Sequence, residues 1–497
     1  NMSSLKRIVS GTISGVVRNF LNLIIIIISL PVYLSFWKVE LYGIWVLIFS
    51  IVGLIKLPIF TYQEYLQNEF LKIGQLNRSE VSKLVFGSIF ITLIILFFFL
   101  ILSLIVFESL TILKVLNVDQ KYYEVIQISI FFLLSSEIIA YIVGILSRAL
   151  YPFNYYPRIH WLGLLIVIIV PIFQLISLFY GFKLIEVSIL TFITTNFLNF
   201  IFLIYLLKLI KKENIKYKGL FIAKNINHFQ KSFYLLFGNF VTLIKNEGSR
   251  LIMIPFVGAI QLVAYATMKT ANNMVKQLFN SFSNSLLIEF SGYINKKNKE
   301  SFIKSYTFLN VMLGILIIPI AFIMQIVISD LFSIWTKDKI QFDNILFASM
   351  TISFLIMIYY QPAYLIIKSR NMFIEEMKIS IIISAIFIFV FIFFVERYSI
   401  RGAGYALILT EMVACFYFFY YSNKWLKQNF IQFSKKQQSY CFIDLLISSL
   451  LILLIANNPT DYIKLIFFFL VYKIVYSLYL FKILLKNIIL NFLNLTK

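Results

Sequence analysis

Charge is scarce in this chain, and so are the residues of catalysis. Of 497 residues, 13% are charged, two are histidine and two are cysteine. His160 and His228 have no carboxylate and nucleophile at a spacing that suggests a hydrolytic triad. Cys415 and Cys441 are too few for a disulfide framework and belong to no histidine and cysteine cluster with zinc-ligand spacing. There is no glycine-rich phosphate loop ending in Lys-Ser or Lys-Thr. The longest polar connection, 209–229, leaves no room for a nucleotide-binding domain. Asp330, Asp338 and Asp343 share an outer loop but are widely spaced, as solvated residues are. These absences argue against a hydrolase, a membrane glycosyltransferase and an ATP-driven pump built from this chain alone. No catalytic residue, metal ligand or cofactor is expected.

Apolar sequence is what the chain has in excess. Hydrophobic residues make up 61% of it, more than a water-soluble protein of this size can cover. Runs such as "LNLIIIIISLPVYLSFW" at 21–37 and "IFITLIILFFFLILSLIVF" at 89–107 recur from end to end, long enough to cross a bilayer as helices. A membrane β-barrel would show roughly ten-residue alternating segments instead. Lys6 and Arg7 precede the first run, but its length and the lack of a small-residue cleavage site read as a membrane helix rather than a signal peptide.

The fold expected is all-α and polytopic, with about 14 membrane spans. The formal charge of +22 does not point to nucleic acid, because the basic residues lie in short loops between apolar segments. With the N-terminus inside, 28 Lys and Arg fall on the cytoplasmic side, nine outside and seven within spans, which covers all 44. That bias orients the chain with both termini cytoplasmic. The basic loops enforce topology, and contact with anionic membrane lipids is compatible with this.

A faint internal repeat divides the chain. "RNFLNLIIIIISLPVYLSFWKVELYGIW" at 18–45 runs parallel to "GNFVTLIKNEGSRLIMIPFVGAIQLVAYA" at 238–266, with Asn19-Phe20 matching Asn239-Phe240 at an offset of 220. The repeat begins after six spans, so it is parallel rather than inverted. The expected layout is an N-terminal six-helix lobe at 1–208, a basic cytoplasmic linker at 209–229 and a C-terminal six-helix lobe at 230–423. Two accessory helices and a tail follow at 440–497.

Ionisable residues inside the spans are the candidates for function, because they are expensive there and face protein or water. They are Arg18, Lys56 and Glu137 in the first lobe, Lys245, Glu247, Arg250, Lys269, Lys276 and Glu411 in the second, and Lys473 in the accessory pair. Glu247 and Arg250 are three apart and can pair, and Gly248 between them permits a helix irregularity. Lys269 and Lys276 are two turns apart on one face, near Asn272, Asn273 and Gln277. Each has a plainer reading. Arg18 and Lys56 can snorkel to head groups, Glu137 can be a structural partner of Arg148 through an intermediate group, and Glu411 and Lys473 can tie helices together. Seven cations against three clear carboxylates nevertheless favour an anionic substrate. Tyr359, Tyr360 and Tyr364 in "YYQPAYLIIKSRN" are of a type that stacks on sugars, although Pro362 with packed tyrosines is the plainer account. "SRALYPFNYYPR" at 147–158 has the same ambiguity.

The chain resembles the polysaccharide-exporting branch of the multidrug/oligosaccharidyl-lipid/polysaccharide flippase superfamily, and most of all the bacterial O-antigen and capsule repeat-unit flippases. The resemblance rests on "LPVYLSFWKVELYGIWVLIFSIVGLIKLPIF" at 30–60, with Tyr42-Gly43 and Trp45 opening the second helix. It rests also on "RYSIRGAGYALILTE" at 397–411, with Gly402 and Gly404. It departs at 56–60, where "KLPIF" replaces a "LLDLGL"-type segment. The motifs are soft, and the likeness covers about 12 of the 14 spans. It implies a V-shaped, two-lobed transporter with alternating access to a central cationic cavity. The implied substrate is an undecaprenyl-diphosphate-linked oligosaccharide moved across the bacterial inner membrane. In that reading Arg18, Lys269 and Lys276, with Arg250, receive the diphosphate, and Lys56 and Lys245 are further substrate contacts. Glu137, Glu247 and Glu411 are supporting residues or sites of coupling to a proton or sodium gradient. A polysaccharide polymerase complex is a candidate partner. A multidrug or small organic cation antiporter of the related exporter branch is the alternative.

Overall fold

The computed structural model describes residues 4–74, 77–108, 114, 116–295, 299–300, 302–303, 306–307, 313–370, 372–429, 431, 435–457, 464–474 and 476. Every regular element among them is helical. In chain order they are α1 (Ser4–Phe36), α2 (Val39–Ile73), α3 (Arg78–Glu108), α4 (Tyr123–Ser135), α5 (Glu137–Ala149), α6 (Tyr156–Phe179), α7 (Leu184–Lys212) and α8 (Ile222–Leu243). A π-helical turn at Ile244–Gly248 leads into α9 (Ser249–Asn295), and a second at Leu313–Ile317 leads into α10 (Ile318–Thr336). Then come α11 (Asn344–Ser369), α12 (Phe373–Gln428), α13 (Lys435–Asn457) and a last helix, α14, at 464–474. The tail beyond 476 and the side chains of Asn19, Asn239 and Gln277 lie outside the described residues.

Ten helical segments among the described residues are long and apolar enough to cross a membrane, and α1 adds a shorter apolar stretch, Phe20–Phe36. Two of the ten hide a break. Gly258 in α9 has φ 74°, and Ser399 in α12 has φ 52° and ψ −137°. The sequence places span boundaries between 256 and 260 and between 396 and 402, and both breaks fall there. Gly258 also lies 220 positions after Lys38, the junction of α1 and α2, so the helix interruption recurs at the offset of the sequence repeat. Glycine adopts a positive φ at little cost, whereas Ser399 holds that region against steric preference.

The ends of the helices follow from local chemistry. Asp343 caps α11 by accepting from the Leu346 amide at 2.9 Å, while its other oxygen takes the Arg401 Nε at 2.7 Å. Glu186 reaches back to the Lys183 amide at 2.6 Å at the start of α7. Prolines 31, 58, 171, 255 and 362 sit within helices, as packed membrane helices permit. α11 runs unbroken through Pro362.

The chain divides into two compact units, residues 1–266 with Trp335–Ile340, and 267–334 with 341–497. In the first, Tyr62, Leu66 and Phe70 of α2, Val81 and Val85 of α3, Ile145 and Leu146 of α5 and Leu206 of α7 form one buried cluster. The basic stretch at 209–229 is tied into this unit rather than left as a bare connection. Asn225, 1% exposed, donates to the carbonyls of Lys83 and Leu220 and accepts from Ser88, and the Ser82 hydroxyl donates to the Lys216 carbonyl. In the second unit α11 is the central helix, buried along most of its length from Leu346 to Ile367. Phe302 and Tyr306 pack there with Leu365, Ile366 and Leu426.

Candidate functional site

Three charged residues of the first unit, Lys245, Glu247 and Arg250, lie in or beside the π-helical turn. In that turn one residue is added to the helix, and backbone groups lose their regular partners. The Ser249 hydroxyl answers the Lys245 carbonyl at 2.7 Å and itself receives the Tyr265 hydroxyl at 3.1 Å. Arg250 then projects toward α2. Its guanidinium meets the Glu247 carboxylate at 3.0 Å and donates to the Ser50 hydroxyl at 3.3 Å. Gly53 makes room for Glu247, since a Cβ there would lie 3.4 Å from the glutamate Cγ. The Glu247–Arg250 pair and the irregular turn are both features the local spacing predicts. Arg250 Nε is buried without a hydrogen-bond partner among the described residues, so its donor fork is only partly used. Lys245, in the same turn, is buried.

Lys56 and Glu137 form a second pair at 2.7 Å, joining α2 to the first turn of α5. This corrects the expectation that Glu137 serves Arg148. Arg148 instead donates to Gln63 Oε1 at 2.8 Å, and Gln63 donates to the Tyr141 carbonyl at 3.0 Å. Gly144 leaves the space that Gln63 occupies, for a Cβ there would come within 2.6 Å of the amide oxygen. Arg18 is exposed on α1, within electrostatic reach of Tyr156 and His160 at the start of α6.

In the second unit Lys269 is buried and Lys276 half-buried on one face of α9. Between them Asn272 donates to the Thr351 hydroxyl of α11 at 3.2 Å. Glu411 of α12 receives the Tyr360 hydroxyl at 2.7 Å. The three tyrosines proposed to stack on sugars are engaged in packing here. Tyr360 lies parallel to Phe418 at 5.2 Å, Tyr364 meets Phe418 edge-on and donates to Glu376 at 3.3 Å, and Tyr359 rests against Phe419 and Phe442. Through these contacts the three tyrosines tie α11 to α12 and α13.

One acid escaped the reading of the sequence. Asp444 of α13, 1% exposed, holds Lys473 of α14 at 2.6 Å. The Tyr472 hydroxyl donates to the same oxygen at 3.0 Å, and the Lys473 ammonium also reaches the Gly314 carbonyl at 3.1 Å. Gly314 belongs to the second π-helical turn. A Cβ there would press on Tyr476 at 2.7 Å and on the Asp444 Oδ2 at 3.0 Å. Lys473 is therefore an inter-helix residue. The signal was present as Cys441, Asp444 and Ser448 at helical spacing, opposite Tyr472, Lys473 and Tyr476.

No protein-family model and no curated protein matches the chain. Solved structures do. The lipid II flippase MurJ in an inward-closed conformation superposes with a TM-score of 0.65 at 16% identity, over 96% of this chain and 99% of that one. The fold is shared with MurJ and the MATE transporters. An inward-facing multidrug resistance MATE transporter of the MOP superfamily gives 0.62 at 12% identity, over 83% and 95%. The Vibrio cholerae MATE transporter VcmN gives 0.53 at 12%, over 84% and 98%. At such identities the likeness to MurJ and MATE is one of fold. Among the described residues, no group of three or more His, Cys, Asp or Glu is placed to hold a metal ion.

Proposed function

We propose that this protein is an alternating-access transporter that moves an undecaprenyl-diphosphate-linked oligosaccharide from the inner to the outer leaflet of a bacterial inner membrane. The observation that carries this reading is the charge balance within the spans. Counting Asp444, the candidate residues within the spans are seven cations and four carboxylates, a net positive charge that attracts an anionic substrate. Three pairs hold Lys56, Arg250 and Lys473. A diphosphate offers several acceptor oxygens and more than one negative charge, which suits the two ammonium groups of Lys269 and Lys276 on one face of α9. The shared fold supports transport in general. The excess of cations supports this reading over organic-cation export, which calls for an acidic lining.

The test is movement of a fluorescent lipid-linked oligosaccharide across proteoliposomes, beside uptake of an organic cation under an imposed proton gradient. Replacing Lys269 and Lys276 together by Gln should cut glycolipid movement at least tenfold at normal protein level. Lys276→Arg should retain more activity than Lys276→Gln. Wild-type glycolipid rates in the double variant, or gradient-driven cation export by the unaltered protein without glycolipid movement, would overturn the reading.

A further inference from the structure

Between α6 and α7, on the outer surface of the first unit, lies a cleft of about 520 Å³. Its walls are almost wholly apolar. Trp161 and Leu165 of α6 and Leu198 and Ile201 of α7 line it, with Arg158 and Tyr205 as its polar members. Trp161, Leu165 and Ile201 are 42%, 51% and 52% exposed, so the cleft opens sideways rather than into the helix bundle. Arg158 stands in the first turn of α6, is exposed, and makes no ion pair or hydrogen bond among the described residues. Tyr205 is near the end of α7, where Lys208, Lys211 and Lys212 follow, all exposed. The polar end of the cleft therefore lies at a cationic rim, the rim that the Lys and Arg bias assigns to the cytoplasm.

We propose that this cleft is a binding site for an anionic phospholipid, with one acyl chain between α6 and α7 and the phosphate on Arg158. The proposal does not depend on what the protein transports. The dimensions select this occupant. Lining residues run from Arg158 to Ile166, eight helical steps or about 12 Å, and one leaflet has a hydrocarbon depth of about 15 Å, half of a ~30 Å core. A chain that hangs from a head group at the rim thus fills the cleft within its own leaflet, whereas a long polyprenyl tail would overrun it. Charge selects the head group. A guanidinium offers a phosphate two parallel hydrogen bonds, and neighbouring lysines raise the local concentration of anionic lipid. Trp161 and Tyr205 are the residue types that settle at the interface between head groups and chains. The motif "SRALYPFNYYPR", which ends in Arg158, gains a role at this rim.

Native mass spectrometry of the full-length protein, released from detergent and titrated with phosphatidylglycerol or phosphatidylcholine of the same chains, tests the site. The unaltered protein should bind phosphatidylglycerol at least fivefold more tightly. Arg158→Gln should bring the two lipids within twofold of each other. Leu165→Trp, a substitution at a half-exposed wall position, should weaken the tight phosphatidylglycerol event at least fivefold. Circular dichroism and gel filtration would confirm that both variants are folded. An unchanged preference in Arg158→Gln, or an undiminished tight event in Leu165→Trp, would refute the site. Displacement of phosphatidylglycerol by an equal concentration of undecaprenyl phosphate would assign the cleft to the carrier and overturn the proposal as well.

Discussion

Glu247 and Arg250 show what a single ionised side chain requires inside a hydrophobic helix. Their side chains are 28% and 19% exposed, and neither is hydrated as it would be in water. Removing one charge strands the other, at a cost of about 1–3 kcal/mol for a buried group left without its partner. Glu247→Gln should therefore lower the amount of folded protein and its melting temperature in detergent, with a smaller effect, under the proposed function, on glycolipid movement per molecule. Fluorescence-detected gel filtration after heating checks this. This pair was legible in the sequence because three residues along a helix fix the geometry. Lys56 and Glu137 are 81 residues apart, and their meeting depends on the order of helices in space, which no local rule supplies. Asp444 was missed because it lies near the end of its span, where a carboxylate ordinarily meets head groups, and α14 is what buries it. Outside the spans, burial holds the His228 imidazole below its ordinary value of 6.5 beside the Tyr65 hydroxyl at 3.4 Å. Above that value the ring is neutral whether folded or unfolded. As pH falls through 6.5 the unfolded chain takes up a proton that the folded site resists, so stability declines. Melting temperature should drop on acidification below pH 6.5, and less steeply in His228→Gln.

The accessory helices are fastened by an ion pair rather than by apolar packing alone. Asp444 and Lys473 side chains are 1% and 9% exposed. Removing one partner of such a pair costs about 3–5 kcal/mol, whereas replacing both by apolar residues of similar volume is often neutral or stabilising. Asp444→Asn should thus destabilise the protein strongly, while Asp444→Leu combined with Lys473→Met should recover most of the loss. Thermal unfolding of the three proteins in one detergent decides it, and equal melting points would show that the pair contributes nothing. Gly402 and Gly404, part of the family resemblance, have a packing role in α12. A Cβ at Gly402 would collide with the Phe394 carbonyl, and one at Gly404 would lie 2.6 Å from the Ser349 Cβ of α11. The glycine-rich pattern was visible in the sequence, but which backbone it admits depends on the fold.

Composition and apolar period were enough to specify an all-α polytopic molecule, because a bilayer leaves the backbone few alternatives. The breaks near residues 258 and 399 were legible from short polar or small-residue interruptions. The integration of 209–229 was not, since the buried Asn225 reads in sequence as one more polar loop residue. Orientation rests on the distribution of Lys and Arg and is open to a direct test. In a background with Cys415 and Cys441 replaced, cysteines introduced at the exposed positions Lys212 and Lys337 should react with an impermeant maleimide from opposite sides, Lys212→Cys from the cytoplasm only. Reaction of both from one side would overturn the topology.

The π-helical turn at Ile244–Gly248 also sets a rotational phase. Each residue advances an α-helix by about 100°, and a π-turn carries one residue more than an α-turn. Everything after Gly248 is therefore turned by about that angle from where an unbroken helix would place it. Glu247 and Arg250 keep their mutual spacing whatever the phase, but their meeting with Gly53 and Ser50 of α2 depends on it. Deleting Asn246 should give a chain that still inserts and still pairs Glu247 with Arg250, yet presents that pair to a different neighbour. Normal membrane insertion with transport reduced as far as in Arg250→Gln is the expected result. The extra residue is then the means by which a hydrophobic helix aims its charge.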